Sequence, residues 1–530
     1  MPLVDDWITF FTDASQSANL LREDYGVDYH DFEGKQKTIL QLLNLHRKKF
    51  GNEDIIIVRV PGRINLMGRH VDHQNGLVNL IAIDKEIFIT ASIRKDFKIV
   101  AYNFDAVNFA DIKIDLSNLT SEICHDWLDV INNADFITKY KSPQGNWDNY
   151  LKAAYVRLIN LYELNEVYGA NICILGNILI AAGLSSSSAL TVGIFTAISI
   201  LNKLNIKEEE MINPCAEAEW FVGTRGGSAD QVAILLAKKN QIAHVKLFPL
   251  KILDWIDFPK NCELLIFNSQ ILADKSGAKK DIFNEKILAY DIGFYLIKKN
   301  FPQFSSKLFY LSDINPQNLK IKSSDVMKLL LELPEYILFK DVPNILGNRW
   351  DELKKKYHFN TNPQKIPIRK VITYGISECE RSKIFNQLIK KGDLISAGVL
   401  MNISHNGDRV VKYDYKQKSK PIRYNNEMDD NKIKAYIQSN TTIDQISGGY
   451  GCSIPEIDFI IDLSQNLEGV LGAQLSGAGM GGSAMLLVER EYSEKIKSQL
   501  YKKYEKLFEK PCLIHNCRPV KGISIYNQIE

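Results

Sequence analysis

Residues 61–76 read PGRINLMGRHVDHQNG and gather Arg63, Asn65, Arg69, His70, Asp72, His73 and Gln74 into one short stretch. That density of polar function exceeds what a structural connection requires. The preceding run, EDIIIVRV, is rich in β-branched residues and predicts a buried strand, so the polar groups are expected where a rigid strand gives way to a loop. Loops on rigid scaffolds are where chemistry is usually built. A polar hairpin connection is the bland alternative.

Three further stretches carry chemistry. In AAGLSSSSAL, residues 181–190, a glycine and four serines open directly into an apolar helix. Backbone N–H groups at a helix N-terminus and its positive dipole end favour phosphate, and small residues let phosphate oxygens approach closely. No lysine follows at the spacing of a Walker A loop. Taken alone, a serine-rich helix start is most often only a cap. In SGAGMGGSAMLLV, Gly477, Gly479, Gly481 and Gly482 lie between two strand-like runs, a pattern that suits close backbone contact with a ligand or equally a tight hairpin. In FVGTRGGSADQVAILL, Asp230 stands at a loop-to-helix junction, where an isolated aspartate is usually a cap.

The order of these stretches resembles the galactokinase branch of the GHMP small-molecule kinases. PGRINLMGRHVDHQNG is similar to that family's P-G-R-x-N-L-x-G-E-H-x-D-Y-x-x-G, GLSSSSAL to its G-L-S-S-S-[AS]-x, and SGAGMGG to its G-[AG]-G-x-G-G. The resemblance implies an ATP- and Mg²⁺-dependent kinase acting on the anomeric hydroxyl of a monosaccharide. It implies Asp230 as catalytic base, Arg63 as the cation stabilising the transferring group, and Asn65, Arg69, His70 and Asp72 as sugar contacts. Gly183, Leu184, Ser185, Ser186, Ser187, Ser188, Gly477, Gly479 and Gly481 would surround the phosphates, with Ser187 also binding Mg²⁺. Phosphoryl transfer needs positioning and charge neutralisation above all, and a carboxylate can take the proton of a poorly nucleophilic hydroxyl.

Some positions depart from the family's pattern. The metal-associated glutamate expected five residues before Gly223 is Ala218, flanked by Glu217 and Glu219, either of which a slipped turn would supply. The glutamate expected before His70 is Arg69, and tyrosine is replaced by His73; Arg225 also departs. An arginine fork suits a carboxylate, so galacturonate stands beside galactose as a candidate substrate, unless Arg69 pairs with an internal acid. A sugar- and nucleotide-binding regulator without turnover is the alternative from another class. WDNY at 147–150, FNEK at 283–286, GVLMNISH and YGCSIPEID extend the resemblance from about residue 35 to the end.

The elements that must position these groups follow from hydrophobic periodicity. Residues 1–50 predict helix, leading into a strand at 53–60. LVNLIAI, EIFITASI and FKIVAYNF predict further strands of a meander, NWDNYLKAAYVRLINLY and SALTVGIFTAISILNKL helices, and NICILGNI another strand. Later come the strand CELLIFNS, helices over 284–299 and 376–405, and strands at GVLGAQL, AMLLVER and GISIYN. Residues 300–365, without a clean period, and 409–446, charged and turn-forming, read as insertions, the second exposed. This is α+β organisation. The resemblance implies a two-domain GHMP kinase fold: an N-terminal ribosomal-protein-S5-like α/β domain over 1–255 and a C-terminal ferredoxin-like α+β domain over 256–530.

Bulk properties agree with a small-molecule partner. Sixty-five Lys and Arg against 63 Asp and Glu leave a formal charge of +2, which gives no electrostatic footprint for nucleic acid or a membrane surface. The N-terminus has early acids instead of a signal's basic flank, and a cytoplasmic location is expected. The eight cysteines form no CxxC pair and read as reduced thiols in or near cores; Cys512, His515 and Cys517 lack a second ligand pair. The sequence leaves the oligomeric state open.

Overall fold

Strand β1 (Ile56–Met67) runs through the Pro61–Gly62 pair at which the sequence predicts its end. β2 (Val78–Ile93) pairs with it antiparallel from Ile56↔Ala91 to Met67↔Asn79, with register shifts at Pro61/Gly62 and Asn65/Met67. A bulge accommodates the proline, because the ladder is already interrupted where Pro61 has no N–H to donate. LVNLIAI and EIFITASI are therefore one strand, and Arg63 and Asn65 sit on a strand instead of a loop.

The structure is a computed structural model. It describes the chain apart from residues 118, 120–122, 124–125, 144, 163–166, 224–225, 273–277, 357–358, 360, 415–420 and 530. Around β1 and β2 the first sheet adds β3 (Lys98–Asn103), β4 (Ile112–Asp115) and β5 (Ala170–Gly176), in the order Ser524–Tyr526, β1, β2, β5, β3, β4. β6 (Gln241–Leu247) pairs with the start of β2, and β7 (Leu250–Asp257) pairs with β6. Side chains alternate between two cores, as the strand period requires. Ile56, Val58 and Val60 face the helices Asp148–Tyr162 and Ser186–Leu201. Ile57 and Phe88 face α1 (Val4–Thr12), α2 (Ala14–Tyr25) and α3 (Phe32–Phe50).

A buried charged cluster ties those N-terminal helices down. Arg59 is fully buried; its Nε donates to Glu86 at 2.6 Å and one terminal nitrogen to the carbonyl of Gly522 at 2.9 Å. Lys35 and the Tyr25 hydroxyl also bond Glu86. Such charges are tolerated in a core only when each finds partners.

The second sheet is antiparallel, in the order Val470–Ser476, Ser483–Glu489, β8 (Cys262–Asn268), Leu513–Cys517. Helices Pro455–Ser464 and Ser493–Phe508 pack on it. Counting the four strands and the two helices Pro455–Ser464 and Ser493–Phe508 alone, the order is strand, helix, two strands, helix, strand, with spatial order 2-3-1-4, the ferredoxin-like arrangement, and the segment 278–454 is inserted after the first strand. The first sheet continues to Asp257, and Pro519–Val520 and Ser524–Tyr526 return to it.

The two segments read as insertions hold regular structure and contribute buried residues. Residues 300–365 hold short helices, among them Ser323–Leu331 and Val342–Leu346, which bury Leu308, Val326 and Leu330. Met428, Ile433 and Ile443 of the other segment join the same core. Frequent caps such as Asn315, followed by Pro316, keep each helix too short to show a period in sequence. The seven described cysteines are buried and unpaired; Cys124 and Arg225 lie outside the described residues. Among the described residues no helix is long and apolar enough to cross a membrane.

Candidate active site

Arg63 is the hub. Extending from β1, its Nε donates to Asp230 Oδ1 at 2.5 Å and a terminal nitrogen to Oδ2 at 2.7 Å, while the third nitrogen donates to the Gly183 carbonyl at 2.9 Å. Asp230 lies in the first turn of the helix Ala229–Leu236 and also accepts the Ser185 hydroxyl. Ser188 approaches the same carboxylate at 3.4 Å. A bidentate arginine holds an aspartate ionised and fixes its plane.

The serine loop meets β1 through its backbone. Arg63 N–H donates to the Leu184 carbonyl at 3.2 Å, while the Leu184 side chain is fully buried in the core. Ser185, with φ 62°, leads into the helix Ser186–Leu201, and no side-chain cap closes that helix start. The helix N-terminus therefore keeps its attraction for an anion. Gly183, with φ 75°, is pressed against the third loop: a Cβ there would lie 2.4 Å from the Ser476 carbonyl oxygen. Gly477 faces Gly183 in turn, whereas a Cβ at Gly479 would meet the Cys452 carbonyl at 2.2 Å. Gly479 thus serves loop packing in this structure.

A cavity opens beside these loops. Arg63, Asn65, Arg69, His70, Asp72 and His73 form one wall, and Ser188, Glu219, Asp230, Gln231, Phe283 and Gly477 line the rest. Burial works against ionisation of Asp72, but the neighbouring His73 imidazole, 3.3 Å away, holds its carboxyl below the usual range. The Asn65 amide nitrogen donates to the Gly68 carbonyl at 3.1 Å, leaving its buried oxygen without a protein partner. His70 has φ 61°, uncommon for a residue with a side chain, and its ring stacks on Tyr450 at 4.1 Å between centroids.

Arg69 differs from its expected role. Its terminal nitrogens donate to the Leu475 carbonyl at 2.6 Å, the Ser404 hydroxyl at 3.0 Å and Asp408 Oδ2 at 2.8 Å. Only Nε lacks a hydrogen-bond partner, so no free edge of the guanidinium remains to grip a carboxylate in two-point fashion. The two candidate metal carboxylates also separate. Glu217 is ion-paired with Arg157 and lies off the cavity. Glu219 lines the cavity, accepts from Gln231 Nε2 at 2.8 Å, and is close enough to Tyr150 that burial together with the Glu219 charge pushes that phenol up to about 12. Ser187 stands in the first turn of the adjacent helix Ser186–Leu201. One carboxylate with a serine hydroxyl fits Mg²⁺, which takes few protein ligands beside substrate phosphates.

Sequence reading missed two residues at the site. Glu378, fully buried, accepts the N–H groups of Gly68 and Arg69 at 3.0 and 3.1 Å, and Asp408 pairs with Arg69 and lies 3.3 Å from His70 Nε2. The only signal was position: Asp408 stands three residues after the GVLMNISH segment.

A ferredoxin-like unit joined to an α/β unit, with an uncapped serine loop beside an arginine-held aspartate, is an arrangement that known proteins share, and the matches are to GHMP kinases. Family models for the GHMP kinase N-terminal and C-terminal domains match residues 149–238 and 427–506. The model for the galactokinase galactose-binding signature matches 44–93. The galactokinase of a Roseiflexus species is 25% identical over 91% of this chain and 96% of its own length. Those of Dictyostelium discoideum and Pyrococcus furiosus are each 24% identical, over 94% and 89% of this chain and 95% and 99% of their own. The crystal structure of Lactococcus lactis galactokinase complexed with galactose shares the fold, with a TM-score of 0.62 at 20% identity, covering 92% of this chain and 100% of that one.

Proposed function

We propose that the protein transfers the γ-phosphoryl group of ATP to the anomeric hydroxyl of galactose. The observation that carries this reading is the two-point Arg63–Asp230 pair, set between the serine loop and the cavity. In this reading the phosphates of ATP lie on the start of the helix Ser186–Leu201 and the glycines at 183 and 477. The sugar occupies the cavity against Asn65, His70 and Asp72. Asp230 takes the hydroxyl proton as the oxygen attacks the γ-phosphorus, and Arg63 turns from holding Asp230 ionised to also offsetting charge on the transferring group. Glu219 and Ser187 are the residues that would hold Mg²⁺, which supplies charge neutralisation on the phosphates. Glu217, engaged with Arg157, is not among them.

A neutral sugar fits better than a uronic acid, because the one cation that suggested a carboxylate is already committed to Asp408. A coupled ADP-release assay with galactose and galacturonate tests both points. Galactose-dependent turnover, reduced about 10²- to 10⁴-fold in Asp230→Asn, is expected. Turnover with galacturonate alone would overturn the substrate reading, and sugar binding without turnover across a wide panel would overturn the kinase reading.

A further inference from the structure

The loop carrying the sugar-side residues belongs to the N-terminal half of the chain, but the C-terminal half holds it. Glu378, on the helix Arg369–Lys391, receives the N–H groups of Gly68 and Arg69. Asp408, at the end of the helix Leu394–Asp408, is fully buried and reaches two consecutive residues of the loop: Oδ2 takes Arg69 at 2.8 Å, and Oδ1 lies 3.3 Å from His70 Nε2. His70 in turn occupies the left-handed backbone region, a conformation that persists only when its surroundings impose it. Tyr450 covers one face of its ring. Asp408 is the only acid within ion-pair distance of either side chain among the described residues.

We propose that Asp408 is a positioning residue for sugar recognition: it sets the tilt and proton position of His70, and Arg69 is the strut that holds the Asp408 carboxylate in place. Oδ1 and Nε2 approach as an ion pair without hydrogen-bond geometry, so the Asp408 charge favours a proton on Nε2 and small shifts of Asp408 alter how His70 meets a sugar hydroxyl. Arg69 cannot substitute for that contact, because its terminal nitrogens point to Asp408, Ser404 and the Leu475 carbonyl. The arginine at position 69 and the aspartate at position 408 are then one device, joined across 339 residues of chain. This assignment rests on the kinase reading above.

The test measures galactose KM, ATP KM, kcat and thermal midpoint for wild type, Asp408→Asn, Arg69→Gln and the double variant. Asp408→Asn is expected to raise galactose KM at least tenfold while ATP KM stays within twofold. The double variant, in which neither charge is buried alone, is expected to regain thermal midpoint relative to Asp408→Asn yet keep the raised galactose KM. In a His70→Ala background, Asp408→Asn is expected to add less than twofold. A galactose KM within twofold of wild type in Asp408→Asn overturns the proposal. So does recovery of KM together with midpoint in the double variant, which would make the pair purely structural, or a full Asp408→Asn effect without His70. If Asp408→Asn does not fold, the double variant carries the same comparison. A wild-type chain that releases no ADP with galactose fails the kinase reading instead, and that measurement comes first.

Discussion

Replacing Glu378 by glutamine keeps the side chain's shape but removes its charge at a place where both oxygens are in use. Oε1 accepts the N–H groups of Gly68 and Arg69 at 3.0 and 3.1 Å, and Oε2 accepts from Arg381 Nε at 2.8 Å. A glutamine must turn its NH₂ toward one of these sets, and in either orientation donor faces donor. Arg381 retains the carbonyls of Asp444 and Ile446, at 3.2 and 2.6 Å, but loses its counter-charge. One lost charge-assisted bond, about 1.5–3 kcal/mol, together with a fully buried cation left without its partner, brings the expected loss to about 3 kcal/mol. For a cooperative unit of about 150–250 residues that corresponds to a midpoint about 6–12 °C lower. Thermal and urea unfolding followed by circular dichroism read this directly. Glu378→Gln combined with Arg381→Met is expected to recover part of the loss, because no charge is then buried alone. A single variant within about 0.5 kcal/mol of wild type would refute the reasoning, as would a double variant no better than the single, since both treat the pair as the dominant local term.

Acid should unfold the protein through the same groups. Burial works against the Asp408 carboxyl, yet His70 and Arg69 hold it at about 2, and Glu378 is held low by Arg381 and Arg69 despite its own burial. A carboxyl depressed in the folded state stabilises fully above its unfolded value of about 3.9 and loses that contribution as pH falls through the folded value. Stability is therefore expected to fall between about pH 4 and pH 2, and Asp408→Asn to flatten that slope by about 2 kcal/mol or less in denaturant titrations at each pH. Gly183→Ala places a methyl 2.4 Å from a backbone oxygen at φ 75°, so ATP KM is expected to rise more than tenfold; an unchanged value would mean the loops yield freely. Glu219→Gln is expected to raise the Mg²⁺ concentration needed for half-maximal rate several-fold and Glu217→Gln to leave it unchanged, with the reverse outcome reassigning the metal carboxylate.

Much of this protein was legible in one dimension because its chemistry is local. The serine loop, the glycine loop and the Arg63 segment each stand out by composition, since small residues and polar groups contiguous in the chain are visible without the fold. Helices such as Ser186–Leu201 and the strands of both sheets follow from apolar periodicity, which each element carries within itself. Pro61 misled because a proline usually ends a strand, and only the pairing partner shows that a bulge absorbs it. The segment 300–365 shows no clean period because its helices are too short to repeat one, and their apolar residues acquire meaning only when Met428 and Ile433 close over them.

What the sequence by itself determined is the family resemblance and the polar segments that the fold gathers around one cavity. The tertiary structure decided the partners. Whether Arg69 meets a substrate or an internal acid depends on Asp408, and whether Glu217 or Glu219 faces the cavity depends on which of them Arg157 takes. The physical reason is that a buried charge is defined by its counter-charge, whose stabilising field falls off over a few ångströms of space and carries no trace of separation along the chain.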